Sequence, residues 1–175
     1  DQILQSHFDK PLGLADPQTL ILDPATGTGT FLFFVIQHIY EKLQAMGQAG
    51  TWDSYVQDNL LPRVFGFELL MAPYAIAHLK LGLQIKELGY KFESEERLRV
   101  FLTNALSEPV TFKQSLGFAG FISTEGYQAA EVKSNKPIEV ILGNPPYSGH
   151  SANDSWKIDS DGKRVRNFIG KLVDD

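Results

Sequence analysis

The sharpest chemical signal in this 175-residue chain is Asn144-Pro145-Pro146-Tyr147. Two prolines fix the backbone and remove local amide donors, so carbonyl oxygens there are left to serve a ligand. The Asn144 side-chain oxygen adds an acceptor, and Tyr147 offers a ring for stacking. Together they suit a flat heterocycle that bears an exocyclic amino group. The plain alternative is a rigid Pro-Pro turn with a packed tyrosine. Its position directly after an apolar strand favours the ligand.

A second cluster lies at Asp23-Pro24-Ala25-Thr26-Gly27-Thr28-Gly29, small residues that let a ligand approach the backbone closely; the plain alternative is a tight strand-to-helix turn with no ligand. Glu68 closes another apolar segment, where a carboxylate can accept both hydroxyls of a ribose diol. Viewed alone it is a solvated acid. Asn104 either hydrogen-bonds an adenine amino group or caps a turn, and viewed alone the turn is preferred.

The elements that must carry these groups alternate. Leu20 to Leu22 reads as a buried strand ending at Asp23, and a helix starts between Thr28 and Thr30. That helix carries the apolar stripe Phe31, Leu32, Val35, Ile36, Ile39 and Leu43 and ends at Gly47. Thr51 is the expected N-cap of a short helix running to Leu60, broken by Pro62. Strand 63–68 leads to a helix over 74–88, opened by Pro73 and closed by Gly89. Its positions Ile76, Leu79, Leu83, Ala77, Leu81, Ile85 and Leu88 are expected to form one broad face over the sheet. Residues 97–103 form a third strand, 108–124 an irregular stretch, 126–134 a modest helix and 138–142 a fourth strand. This pattern predicts an α/β fold with a parallel sheet flanked by helices, and a site at the carboxyl edge of its strands.

Composition narrows the function classes. The chain is 43% hydrophobic and 21% charged, ordinary for a globular protein. It has no cysteine, which excludes disulfides and thiolate metal sites, and its four histidines lack metal-motif spacing, so no metal is expected. No apolar run reaches the roughly 20 residues of a membrane span and no signal-peptide pattern opens the chain. A cytoplasmic location without membrane contact is expected. The net charge of −5 argues against a phosphate-gripping surface within this segment.

Asp23 to Leu32, followed at a distance by Asn144 to Tyr147, resembles the adenine-N6 DNA methyltransferases whose cofactor motif precedes the catalytic one. Gly66-Phe67-Glu68-Leu69-Leu70, Pro73-Tyr74 and Leu79-Lys80-Leu81 resemble that family's second cofactor motif and its helix. Leu102 to Leu106 and Gly143 to Asn153 are similar to the long single-chain restriction–modification enzymes of type ISP. The resemblance implies a Rossmann-like S-adenosylmethionine-dependent methyltransferase fold. By analogy, Asp23 and the turn through Pro24, Ala25, Thr26, Gly27, Thr28 and Gly29, with Phe31, hold the methionine part of S-adenosyl-L-methionine. Glu68 and Leu69 serve the ribose, and Asn104 the cofactor's adenine. The target adenine, flipped from double-stranded DNA, meets Asn144 and the Pro145 carbonyl, with Pro146 shaping the loop and Tyr147 stacked on the base.

The same resemblance sets the expected domain plan. Residues 1–175 form a partial catalytic domain, with cofactor binding over 19–106 and the catalytic loop over 143–153. The sheet is expected to be incomplete, and the target-recognition domain absent. DNA grip is expected mainly from other regions, with fused or associated nuclease and helicase parts, and activity of 1–175 alone is expected to be weak or absent. Rival readings are methylation of RNA guanine or protein glutamine, and a non-catalytic cofactor-binding or scaffold module.

Overall fold

The computed structural model describes residues 1–93, 96–107, 118–145, 156–158 and 161–166. Its centre is a parallel sheet of β1 (Ile21–Asp23), β2 (Val64–Glu68), β3 (Arg99–Leu102) and β4 (Val140–Ile141) in the order β3-β2-β1-β4. The chain runs outward from β1 to β3 and then returns to the other side of β1. The strand order therefore reverses between β1 and β4, and ligand crevices form at the carboxyl ends of strands flanking such a point.

Helices cover both faces. A short helix α1 (Gln2–His7) precedes β1, α2 (Thr30–Ala45) follows it, and α3 (Trp52–Tyr55) continues as a wider turn over Val56–Leu60 before β2. α4 (Met71–Glu87) joins β2 to β3, and α5 (Phe118–Asn135) joins β3 to β4. One core lies under α2, α3 and α4, built on Ile21, Leu32, Ile36, Ile39, Val56, Leu81, Ile85 and Val100. The other lies under α5, where Leu22, Phe65, Phe67 and Phe101 meet Ala129 and Val132. Neighbours along each strand feed opposite cores, which is why the strands read as continuous apolar runs. A two-stranded antiparallel ribbon, β5 (Trp156–Ile158) with β6 (Arg164–Arg166), lies in the polar tail.

Two expectations about helices are corrected. On α4, Tyr74, Ala77, Leu81 and Ile85 are buried, whereas Ile76, Leu79 and Leu83 are 50%, 64% and 50% exposed. At 100° per residue those three project from the side opposite the core-facing four, so one sheet cannot bury both sets. The stretch 108–124 is not irregular throughout, because α5 begins at Phe118. Packing of Glu125, Ala129 and Val132 overrides the helix-breaking tendency of Gly120 and Gly126. Thr51 stands at the expected N-cap position of α3, but its hydroxyl donates back to Gln48 O instead of accepting from the helix.

Both ends of the sheet are secured by side chains. At the amino end, the buried Arg63 guanidinium donates to Thr19 O (2.8 Å), Leu14 O (2.9 Å) and the Tyr55 hydroxyl (2.6 Å). This ties the lead-in segment to β2. On the outer edge of β3, His78 Nε2 donates to Val100 O and Glu125 accepts from Leu102 N–H. Glu125 is 2% exposed and is neutralised by Arg97 at 2.7 Å. Two helices thus saturate backbone groups that an edge strand would otherwise present to another chain.

Candidate active site

β1 delivers Asp23 to the carboxyl edge fully buried. One carboxylate oxygen, Oδ1, accepts from Ala25 N–H at 3.0 Å, while Oδ2 is buried with no hydrogen-bond partner. Burial pushes this carboxyl up to about 6, against the opposing Ala25 hydrogen bond and with help from the nearby Glu68 charge. The turn is then braced from three sides. The Thr26 hydroxyl donates to Asp23 O, Thr26 N–H donates to Phe67 O, and Gly27 N–H donates to Glu68 Oε2 at 2.8 Å.

Two glycines in the turn have separate reasons. Gly29, at φ 79°, packs against Leu81 and Ala77 of α4, where a Cβ would come within 3.3 Å of Leu81. Gly27, at φ 55°, faces open space, since a Cβ there would meet nothing within 4 Å. The backbone at Gly27 is therefore accessible, and the space beside it can take a ligand.

Glu68 stands at the end of β2 with both oxygens engaged, Oε2 by Gly27 N–H and Oε1 by Leu70 N–H at 2.8 Å. It is a clamp across two loops rather than a solvated acid, and each oxygen keeps a further lone pair for a hydroxyl donor. Asn104 follows β3, next to Thr103, whose N–H donates to Glu68 O. Its Oδ1 accepts from Leu106 N–H at 3.0 Å, the turn-capping role, which leaves the amide NH2 as the donor.

The loop after β4 starts beside Asp23. A Cβ on Gly143 would lie 2.6 Å from Asp23 Oδ1, so the Gly143 backbone and the buried carboxylate are in contact. Asn144 and Pro145 follow and are exposed. Pro146 and Tyr147, and with them the expected stacking on a base, lie outside the described residues.

The structure thus gathers Asp23, Pro24, Ala25, Thr26, Gly27 and Glu68 into one bonded unit with Gly143 against it. Thr28 is exposed at its rim. Phe31, in the first turn of α2, and Leu69, directly after β2, are 44% and 63% exposed. Phe31, read as part of the buried stripe, shares its side of α2 with Val35 four residues on, yet in the first turn it stays exposed. Sequence reasoning places Gly66 only in the second cofactor motif, with no role of its own, and does not single out Lys133. Gly66, inside β2, is required because a Cβ would sit 2.5 Å from Thr26 Oγ1; a lone glycine within an apolar strand is the signal that marks such close approach. Lys133, from α5, grips the loop after β3 and had no signal in the sequence.

A separate cavity of about 670 Å³, lined by Arg97, Arg99, Phe101, Gln128, Val132 and Lys136, shares no residue with this edge. Among the described residues no group of three His, Asp or Glu could hold a metal ion, and no helix is long and apolar enough to cross a membrane.

Comparison with known proteins agrees with the fold. Residues 12–169 match the family described as N-6 DNA Methylase. Similar solved structures include three complexes with DNA or a DNA mimic. One is a nuclease-deletion mutant of the Type ISP restriction-modification enzyme LlaGI in complex with a DNA substrate mimic, at 24% identity and TM-score 0.68 over 99% of this chain. Another is the ATP-dependent Type ISP restriction-modification enzyme LlaBIII bound to DNA, at 26% identity and TM-score 0.65 over 99% of this chain. The third is the DrdV–DNA complex, at 28% identity and TM-score 0.59 over 97% of this chain. The chain spans 13%, 11% and 14% of those chains, respectively. No curated protein sequence matches. With its parallel sheet, its glycine turn and a family match over nearly its whole length, the chain belongs to the N-6 DNA methylase family.

Proposed function

We propose that this chain carries the methyl-transfer centre of a restriction–modification enzyme that uses S-adenosyl-L-methionine to methylate the N6 amino group of adenine in double-stranded DNA. The observation that carries this is the contact of Gly143 with Asp23, which sets the Asn144-Pro145 loop against the glycine turn at the point of strand reversal. Two features fit the cofactor: the buried, unpaired Asp23 Oδ2, which suits an ammonium group, and the open space at Gly27. When bound, the cofactor supplies an electrophilic methyl group on a sulfonium.

The chain's own residues bind and align. Asp23 takes the ammonium, and Glu68 accepts ribose hydroxyls on the lone pairs left by Gly27 and Leu70. The Asn104 NH2 donates to a ring nitrogen of the cofactor's adenine. Asn144 and the Pro145 carbonyl accept hydrogen bonds from the target amino group. An aromatic amine is a poor nucleophile because its lone pair is delocalised into the ring. Acceptors out of the ring plane favour a more pyramidal nitrogen, so alignment contributes more than acid–base strength. The cofactor holds the reactivity and the protein supplies position.

The related LlaGI, LlaBIII and DrdV structures contain DNA, which favours DNA over RNA or protein as the methyl acceptor. With a net charge of −5, the grip on the phosphate backbone comes from other parts of the enzyme. The test supplies labelled S-adenosylmethionine with DNA, RNA and protein acceptors. A low yield of N6-methyladenine in DNA, lost in Asn144→Ala, is expected. Label confined to RNA or protein would overturn the substrate.

A further inference from the structure

Lys133 extends from α5, on the opposite face of the sheet from α2 and α4, to the loop that follows β3. Its ammonium donates to Asn104 O at 2.7 Å and Ser107 O at 3.2 Å, with the Thr103 and Ser107 hydroxyls at 3.4 Å. It also stands over the Phe67 ring, 5.5 Å from its centroid. Among the described residues every polar partner belongs to residues 103–107, and none is a carboxylate. A half-buried lysine held by neutral carbonyls gives up part of its hydration, and burial lowers its pKa. Its contacts instead close the turn in which Ser107 N–H donates to Asn104 O and Leu106 N–H donates to Asn104 Oδ1.

We infer that Lys133 is a positioning residue for the cofactor pocket, fixing the Asn104 turn so that the Asn104 NH2 meets the cofactor's purine. The inference rests on the proposed cofactor site and names the residue that sets its base specificity. An NH2 donor at that place pairs with the unprotonated N1 of adenine and opposes the protonated N1 of hypoxanthine. Lys133 thereby governs discrimination between the two bases without touching either.

The test measures calorimetric affinity for S-adenosylhomocysteine and S-inosylhomocysteine in wild type, Lys133→Met and Lys133→Arg. Wild type is expected to prefer the adenosyl ligand. Lys133→Met, which keeps an unbranched apolar side chain and removes the ammonium, is expected to weaken that ligand roughly tenfold and bring the two affinities together. Lys133→Arg restores part of the preference. A merely structural lysine would instead lower both affinities in proportion to lost folded protein, with their ratio intact, and that result overturns the inference. An unchanged affinity ratio in a fully folded Lys133→Met does the same. Wild type that binds neither ligand sinks the cofactor reading itself, and this inference with it. Should Lys133→Met fail to fold, Lys133→Arg decides alone: an unaltered ratio despite the changed donor geometry overturns the inference, and a reduced ratio supports it.

Discussion

Asp23→Asn tests whether the site holds a carboxyl in an environment that opposes its charge. The folded group titrates at about 6, against 3.8 for a free aspartate. Its folded-state pKa is raised, so the fold favours the protonated form. Near pH 3 and below, the carboxyl is largely neutral in both states and carries almost no penalty. As pH rises through 4 to 6 the unfolded chain ionises first, and folding stability falls by about 3 kcal/mol, since each unit of displacement corresponds to about 1.36 kcal/mol. Above pH 6 the penalty is complete and constant. Asparagine keeps an oxygen for Ala25 N–H and cannot ionise. Urea unfolding of both proteins at half-unit steps from pH 3 to 7.5 should show their stability difference moving by about 3 kcal/mol in favour of Asp23→Asn. A difference that stays flat across that range refutes the account of Asp23. An ammonium ligand reverses the preference, so cofactor binding near pH 5.5 should release a proton, seen as a buffer-dependent heat.

Other perturbations follow from specific contacts. Gly66→Ala drives a Cβ to 2.5 Å from Thr26 Oγ1 and 3.1 Å from Leu32, so a loss of about 1–3 kcal/mol is expected in denaturant melts, together with weaker cofactor binding. Arg63→Met strands the Thr19 and Leu14 carbonyls at the amino end of the sheet; about 3 kcal/mol of stability should vanish, visible as a lower melting temperature. Glu68→Ala frees the amides of Gly27 and Leu70, and calorimetry should find cofactor affinity at least tenfold lower while the melting temperature moves little. Gly143→Ala forces the catalytic loop off Asp23, so methyl-transfer rate should fall further than cofactor affinity.

Strand and helix periodicity exposed the fold because both faces of the sheet are buried, which makes β1 and β2 uninterrupted apolar runs. Turn chemistry exposed the site: Asp23 to Gly29 and Glu68 lie where strand ends must place them. Three features were hidden because they depend on which elements meet in space. α4 is apolar on two sides, and periodicity alone cannot tell the side that meets the sheet from the side holding Ile76, Leu79 and Leu83. The start of α5 is decided by Glu125, Ala129 and Val132 docking on the sheet, against the glycines of its own sequence. Lys133 reaches residues 103–107 only because α5 folds back over β2 and β3, and nothing in its neighbours along the chain announces that contact.

The central claim, that the glycine turn and Glu68 form a cofactor pocket, is tested most directly by calorimetric titration of S-adenosylmethionine into wild type and Gly27→Val. A β-branched side chain at φ 55° strains the turn and projects into the open space beside it. The account predicts saturable binding to wild type, competed by S-adenosylhomocysteine, and none to a folded Gly27→Val. No heat with either protein, or equal binding to both, would contradict it.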